Sequence, residues 1–395
     1  MTSLPLPRAA PEEIGFSSSR LERLSAVLRD EIGRRRLPGA VALIARRGKL
    51  GFFESFGHRD AVSGTPMTTD SIFRIYSMTK PITSAAAMML WEEGRFLLGD
   101  PIARYLPEFS DPTVAVARGT GIERVPAERA ITIQDLLRHT SGLTYEFRGP
   151  GPVQKMYMAA KVYRRSQTSA DQVATLGAMP LMHQPATRWE YGRSTDVVGR
   201  LIEVLSGQRL GDFFEQRIFA PLGMVDTAFH VPQRHHPRLA GAFANDPDSG
   251  GAVQLLEVRD QPAFESGGGG LVSTAGDYAR FLQMLLDGGS FQGSRLLSRK
   301  TIELMTADHL GPITGAPDLL LPGHGFGLGF AVRLQPGIAP LPGSVGQYFW
   351  GGLAGTTFWV DPAERLFALL LIQAPGQRDY YRTLFRDLVY SAVDD

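Results

Sequence analysis

The chain has 395 residues, 41 basic and 40 acidic side chains, and no cysteine. A net charge of +1 argues against a nucleic-acid binder, which concentrates basic charge on one face, and the lack of cysteine removes disulfide frameworks, thiolate metal sites and a thiol nucleophile. Hydrophobic residues at 43% and charged residues at 21% describe an ordinary soluble globular protein, which at ~150 residues per domain is long enough for two or three domains.

Residues 1–8 carry no basic segment followed by an apolar run, so no secretory signal is predicted. The longest apolar stretches, residues 85–91 and 366–372, fall short of the ~18 residues of a membrane span. The expectation is a cytoplasmic protein with no membrane partner. Ser19-Arg20-Leu21-Glu22 reads as a capping box, after which Leu21, Leu24, Val27, Leu28 and Ile32 repeat at helical spacing up to Arg34-Arg35-Arg36. Residues 41–45 and 50–56, separated by Arg46-Arg47-Gly48-Lys49, predict a β-hairpin. Ile72-Phe73-Arg74-Ile75-Tyr76 is a short extended run into Ser77. Helix formers fill residues 85–93 before Gly94, and Pro81, tolerated only in a first turn, places the helix start close to Ser77.

Short helices are predicted at 132–139 and 197–205, long surface loops over 231–262 and a helix at 275–286. Strands follow at 326–332, 348–350, 356–360 and 366–372, with a closing helix at 380–393. Strands at both ends with helices between predict an α/β (α+β) architecture. Residues 1–80 and 255–395 would build one discontinuous sheet domain, with residues 81–254 as a mainly helical inserted domain.

Several chemistries are missing. No G-x-S-x-G nucleophile elbow occurs, and neither H-E-x-x-H nor a P-loop is present. Of 8 histidines only His235-His236 are adjacent, so no metal site is expected. Gly267-Gly268-Gly269-Gly270 lacks the Lys and Ser/Thr of a phosphate loop and reads as backbone passing tightly beside another element; Gly325-Phe326-Gly327-Leu328-Gly329 reads as strand glycines. Ser77-Met78-Thr79-Lys80 is different. Residues three apart on a helix share a face, so the Lys80 amine can sit beside the Ser77 hydroxyl, a weak nucleophile without an adjacent base, where the helix N-terminus favours an oxyanion. Taken alone, the tetrapeptide serves equally as an N-cap serine followed by a solvated lysine. His139, ending a capped helix, reads as structural.

Ser77-Met78-Thr79-Lys80 is followed in order by Leu136-Leu137-Arg138-His139-Thr140-Ser141-Gly142-Leu143, by Tyr191, by Gly268-Gly269-Gly270-Leu271-Val272-Ser273-Thr274 and by Trp350-Gly351-Gly352. With these markers the chain resembles, from about residue 37 to 372, the family VIII carboxylesterases, which are built on the class C β-lactamase and penicillin-binding-protein fold. The resemblance implies an antiparallel sheet flanked by helices, with the active site between it and the helical insertion. It also implies Ser77 as acyl-accepting nucleophile, Lys80 as its neighbour and Tyr191 as the residue that shuttles protons with Lys80. The backbone N–H groups of Ser77 and Leu353 would form the oxyanion hole, and Trp350, Gly351, Gly352 and Tyr145 would line the substrate cleft. Neither metal nor cofactor is implied; the partner is a small-molecule ester, and a monomer and a small homo-oligomer both remain open.

Two positions depart from the β-lactamase pattern. Arg193 stands where Y-x-N has Asn, which puts the Asn contact to a substrate amide in doubt. Trp350 stands at the Lys of K-T-G, so a carboxylate-bearing substrate loses a charge-assisted hydrogen bond of about 1.5–3 kcal/mol. Short-chain esters are therefore predicted over penicillins. The same Ser–Lys–Tyr set could pass an acyl group to an alcohol. A β-lactamase or D-amino-acid peptidase would need a cation near Trp350, which the sequence does not reveal. A non-catalytic binding protein would be expected to have lost Ser77, Lys80 or Tyr191.

Overall fold

A computed structural model describes residues 4–119, 121–315 and 319–395; residues 1–3 of the N-terminal stretch read above lie outside the described residues. The centre is an eight-stranded antiparallel sheet. In chain order its strands are β1 (Gly39–Arg46), β2 (Lys49–Asp60), β3 (Thr65–Pro66), β4 (His324–Phe326), β5 (Ala331–Arg333), β6 (Tyr348–Gly351), β7 (Thr357–Asp361) and β8 (Leu366–Ile372). They are laid side by side as β4-β5-β6-β7-β8-β1-β2-β3. The two ends of the chain meet at the β8–β1 seam, where Ala40 faces Ile372 and Arg46 faces Leu366.

These central strands are apolar on both faces because both faces are covered. Side chains alternate across a strand. Leu366, Ala368, Leu370 and Ile372 of β8 point to a core shared with α1 (Ser18–Gly33) and the closing helix, while Phe367, Leu369 and Leu371 point to the larger second core. That second core also takes Phe281, Leu282 and Leu285 from the helix Ala275–Leu286. It runs without a break into α2 (Thr79–Glu92), in which every residue from Thr79 to Leu90 is buried. A helix apolar on all sides belongs in a core, and this one puts its N-terminus at the functional site.

Four expectations are corrected. The Ser19–Glu22 capping box does not form: α1 begins at Ser18, with Ser17 at the cap position and the Ser18 N–H donated 3.0 Å to Glu12 Oε1 instead. Extended structure before Ser77 stops at Phe73–Arg74 rather than running to Tyr76. The strand expected at 326–332 is a hairpin, β4 and β5, closed by the Gly327 N–H to Phe330 carbonyl bond of 2.8 Å. Gly329, at φ +103° and with Ser84 of α2 where a Cβ would sit, makes that turn possible. The middle of the chain, expected to be mainly helical, also holds a hairpin, Thr113–Arg118 with Gly121–Pro126, and two helices beyond those predicted, Pro152–Ala160 and Ser169–Gly177.

The end of β6 is pressed onto the turn that carries Ser77. Gly352 has no room for a side chain: a Cβ there would collide with the Ile75 carbonyl oxygen and with Thr356 Oγ1. Gly352→Ala should therefore lower Tm, since overpacking costs typically about 1–3 kcal/mol, and should impair the site beside it. Gly99→Ala, at a position with open space, is the thermal-melt control; equal melting of the two variants would contradict this packing.

Candidate active site

Ser77 sits where extended chain gives way to helix. Phe73–Arg74 pairs antiparallel with Val272–Ser273; the chain then turns through Tyr76, whose φ of +45° is left-handed. Holding a bulky residue there costs about 1–3 kcal/mol and needs surroundings that over-determine it. The Tyr76 hydroxyl accepts the Leu256 N–H at 2.8 Å, the Tyr278 hydroxyl donates to the Met78 carbonyl at 2.9 Å, and Thr356 Oγ1 donates to the Ile75 carbonyl at 3.3 Å. A 3-10 turn, Tyr76–Met78, then leads directly into the 14-residue helix α2, so Ser77 stands at the positive end of its dipole.

Lys80 follows on the same face. It is 0% exposed, so the solvated-lysine alternative does not apply. Its Nζ contacts three oxygens: the Gly268 carbonyl at 2.5 Å, the Tyr145 hydroxyl at 2.9 Å and Ser77 Oγ at 3.3 Å. The tetraglycine segment thus lies against α2, where Thr83 Oγ1 also donates to the Gly267 carbonyl at 2.7 Å.

Two tyrosines flank the lysine. The centre of the Tyr191 ring is 4.6 Å from Lys80 Nζ, and its Oη accepts the Trp350 indole N–H at 3.1 Å. An indole can only donate, so the hydroxyl proton of Tyr191 is left to point elsewhere. Tyr145 touches Lys80 directly. Its phenol pKa is driven well above 10, by burial first and then by Tyr191 and Asp196, so this hydroxyl stays protonated. His139 is buried against Tyr191, with ring centres 4.9 Å apart. Burial first, and the Lys80 cation second, hold its pKa well below 6.5. It accepts the Gly192 N–H on Nδ1 at 3.5 Å and meets Thr195 Oγ1 with Nε2 at 3.4 Å.

Trp350 is 6% exposed and Leu353 is 45% exposed. The turn after β6 is closed by Gly352 N–H to the Thr356 carbonyl (2.8 Å) and Gly355 N–H to the Gly352 carbonyl (3.1 Å); neither bond uses the Leu353 N–H. A cation that the sequence did not reveal lies beside the end of this strand. The Arg382 guanidinium donates to the Gly352 carbonyl and, at 3.4 Å, to the Thr356 carbonyl, and burial pulls its pKa down to about 10. Arg382 lies on the closing helix Arg378–Ser391, and no local pattern links it to Trp350.

Arg193 is 4% exposed. It turns inward, pairing with Glu146 and, at 3.2 Å, with Asp196. The resemblance implied Tyr145 only as a cleft residue, without its contact to Lys80. The available signal was its place two residues after the Ser-Gly-Leu string. Asp196, on the first turn of the helix Ser194–Ser206, was missed, although it stands three residues beyond Arg193, on the same helical side.

Over residues 24–390 the chain matches the beta-lactamase family. It is 38% identical over 349 residues to protein Rv1367c of Mycobacterium tuberculosis, covering 85% of this chain and 86% of that protein. With Esterase EstB of Burkholderia gladioli it shares 32% identity over 395 residues, 95% of this chain and 96% of that protein. The solved structure described as "EstCE1, a hydrolase with promiscuous acyltransferase activity" overlays with a TM-score of 0.79 at 27% identity, covering 94% of this chain and 98% of that one. A buried lysine beside a serine in the turn that leads into α2, the eight-stranded antiparallel sheet and near-full-length similarity to an esterase converge: the chain belongs to the beta-lactamase family and is a serine hydrolase of the family VIII esterase type.

Proposed function

We propose that the protein is a carboxylesterase that hydrolyses short-chain esters through an acyl-enzyme on Ser77. The observation that carries this reading is the hydrogen-bond set of Lys80. The Gly268 carbonyl can only accept, so it takes one N–H; the buried Tyr145 hydroxyl accepts a second. The third position of the nitrogen faces Ser77 Oγ. In the neutral amine that position is the lone pair, ready for the serine proton; in the ammonium it is the N–H that returns the proton. One fixed geometry serves both halves of the cycle.

In the first half, Ser77 Oγ bonds to the ester carbonyl carbon as its proton passes to Lys80. The backbone N–H groups of Ser77 and Leu353 take the developing oxyanion; each such donor is typically worth ~10²–10³ in kcat. The C–O bond to the leaving alkoxide then breaks, and the Tyr191 hydroxyl, whose oxygen is held by the Trp350 N–H, supplies its proton in concert with Lys80. Water attacks the acyl-enzyme along the reverse path. Trp350 offers no charge to a substrate carboxylate, and Arg382 gives hydrogen bonds to backbone carbonyls of the strand end, which favours uncharged esters.

An alternative acceptor is an alcohol, giving an acyltransferase; the acyltransferase activity described for EstCE1 favours keeping it. The ratio of new ester to free acid with added short-chain alcohol separates the two readings.

Intact-mass spectrometry after brief exposure to an activated short-chain ester should show an acyl increment on the wild type and none on Ser77→Ala. Tyr191→Phe should remain folded and lose most turnover. An increment retained in Ser77→Ala, or near-normal turnover of Tyr191→Phe, would overturn the corresponding role. In steady-state assays kcat/KM for a penicillin should fall below that for a short-chain ester, the missing cation at position 350 alone contributing roughly tenfold to hundredfold; the reverse order would overturn the substrate assignment.

A further inference from the structure

Arg193 holds the position of the Y-x-N Asn, where a substrate contact was already in doubt, and its guanidinium is engaged by partners within the protein. Its guanidinium carbon lies 4.7 Å from the ring centre of Tyr145 and 4.7 Å from that of Tyr163. One edge of the fork grips Glu146, with Nε 3.3 Å from Oε2; Nη1 is 3.2 Å from Asp196 Oδ2. The other oxygen of Asp196 accepts the Gly268 N–H at 2.9 Å and the Ser266 hydroxyl at 2.5 Å. Asp196 is therefore clamped between Arg193 and the peptide segment whose next carbonyl receives Lys80.

We infer that Arg193 is a positioning residue that fixes the Tyr145 ring directly and the Gly268 carbonyl through Asp196, the two oxygens that aim the Lys80 amine at Ser77. The inference rests on the reading of Lys80 as the group that exchanges a proton with Ser77. Three observations carry it. First, the two partners of Lys80 other than Ser77 are the two groups Arg193 supports, by different routes. Second, Arg193 holds both nearby carboxylates, the buried Asp196 and the partly exposed Glu146. Third, only a planar fork reaches two carboxylates while lying against an aromatic face. Burial of Arg193 is offset by Asp196 and Glu146, so it remains a cation. The polar residue at the third place of the Y-x-N string has thus been turned from the substrate to the base.

A misaimed base slows the chemical step and leaves ester binding alone. With a p-nitrophenyl ester of a short acid, Arg193→Met should lower kcat on the order of 10²-fold, the scale of a displacement of about 1 Å at a reacting group, with KM changed less than about threefold. Arg193→Lys, which keeps the charge and can hold one carboxylate, should recover part of kcat. Circular dichroism and melting establish that each variant is folded. Should Arg193→Met not fold, Tyr163→Leu decides: it removes one ring beside the guanidinium while leaving Arg193, Asp196, Tyr145 and Gly268 themselves unchanged, and it should reduce kcat severalfold at constant KM. A rise in KM at preserved kcat would make Arg193 a substrate contact and overturn the inference. Wild-type kcat in Arg193→Met, or equal loss in the Met and Lys variants, would also overturn it. Ser77→Ala assayed in parallel separates the two levels: turnover surviving there means the underlying reading has failed, whereas an inactive Ser77→Ala beside a fully active Arg193→Met means only the inference has.

Discussion

An amine with no solvent exposure is the constraint on which this site depends. Burying Lys80 removes its hydration, a cost of several kcal/mol for the charged form unless hydrogen bonds and opposite charge replace the water. The replacements come from four separate parts of the chain: Ser77 beside it, Tyr145 after the short helix Ile133–Leu137, the Gly268 carbonyl in the tetraglycine segment, and the Asp196 carboxylate behind that segment. Each oxygen that satisfies the nitrogen also limits where it can point. Preorganisation and stability are here the same set of contacts.

The sheet supplies the other half of the site. β6 ends against Ile75, just before the nucleophile, because Gly352 carries no side chain and Thr356 reaches back to the Ile75 carbonyl. The end of a strand and the start of α2, far apart in sequence, are thereby held at a fixed separation. The proposed pair of oxyanion donors, the Ser77 and Leu353 backbone N–H groups, would gain its value from that rigidity. Trp350 joins the two halves, being a strand residue in the sheet and, through its indole N–H, a partner of Tyr191.

Much of this was legible before the structure. The continuous apolar run of β8 and the β1–β2 hairpin were readable because burial on two faces leaves an unmistakable pattern; a three-residue spacing allowed Ser77 and Lys80 to be neighbours, but equally allowed a solvated lysine, and only the family resemblance chose between the two. What was hidden depended on distance or on compensation. The turn at Gly327-Leu328-Gly329 looks like a strand until Ser84 of α2 is seen packed against it. The capping box at Ser19 failed because Glu12, from outside the helix, supplies the acceptor. Arg193 and Arg382 are informative only once their partners are known, since an arginine in sequence says nothing of the carboxylates or carbonyls it will meet. Tyr145 was placed in the cleft but not on the lysine, because a residue after a turn has no periodicity to aim it.

In the proposed mechanism the turn that carries Ser77 and the end of β6 form one oxyanion site. A crystal structure of the protein inactivated by a serine-directed phosphonate tests it most directly. Phosphorus should be bonded to Ser77 Oγ, with its phosphoryl oxygen within about 2.7–3.1 Å of both the Ser77 and Leu353 backbone nitrogens. Phosphorus on another residue, or a phosphoryl oxygen turned away from Leu353, would contradict it.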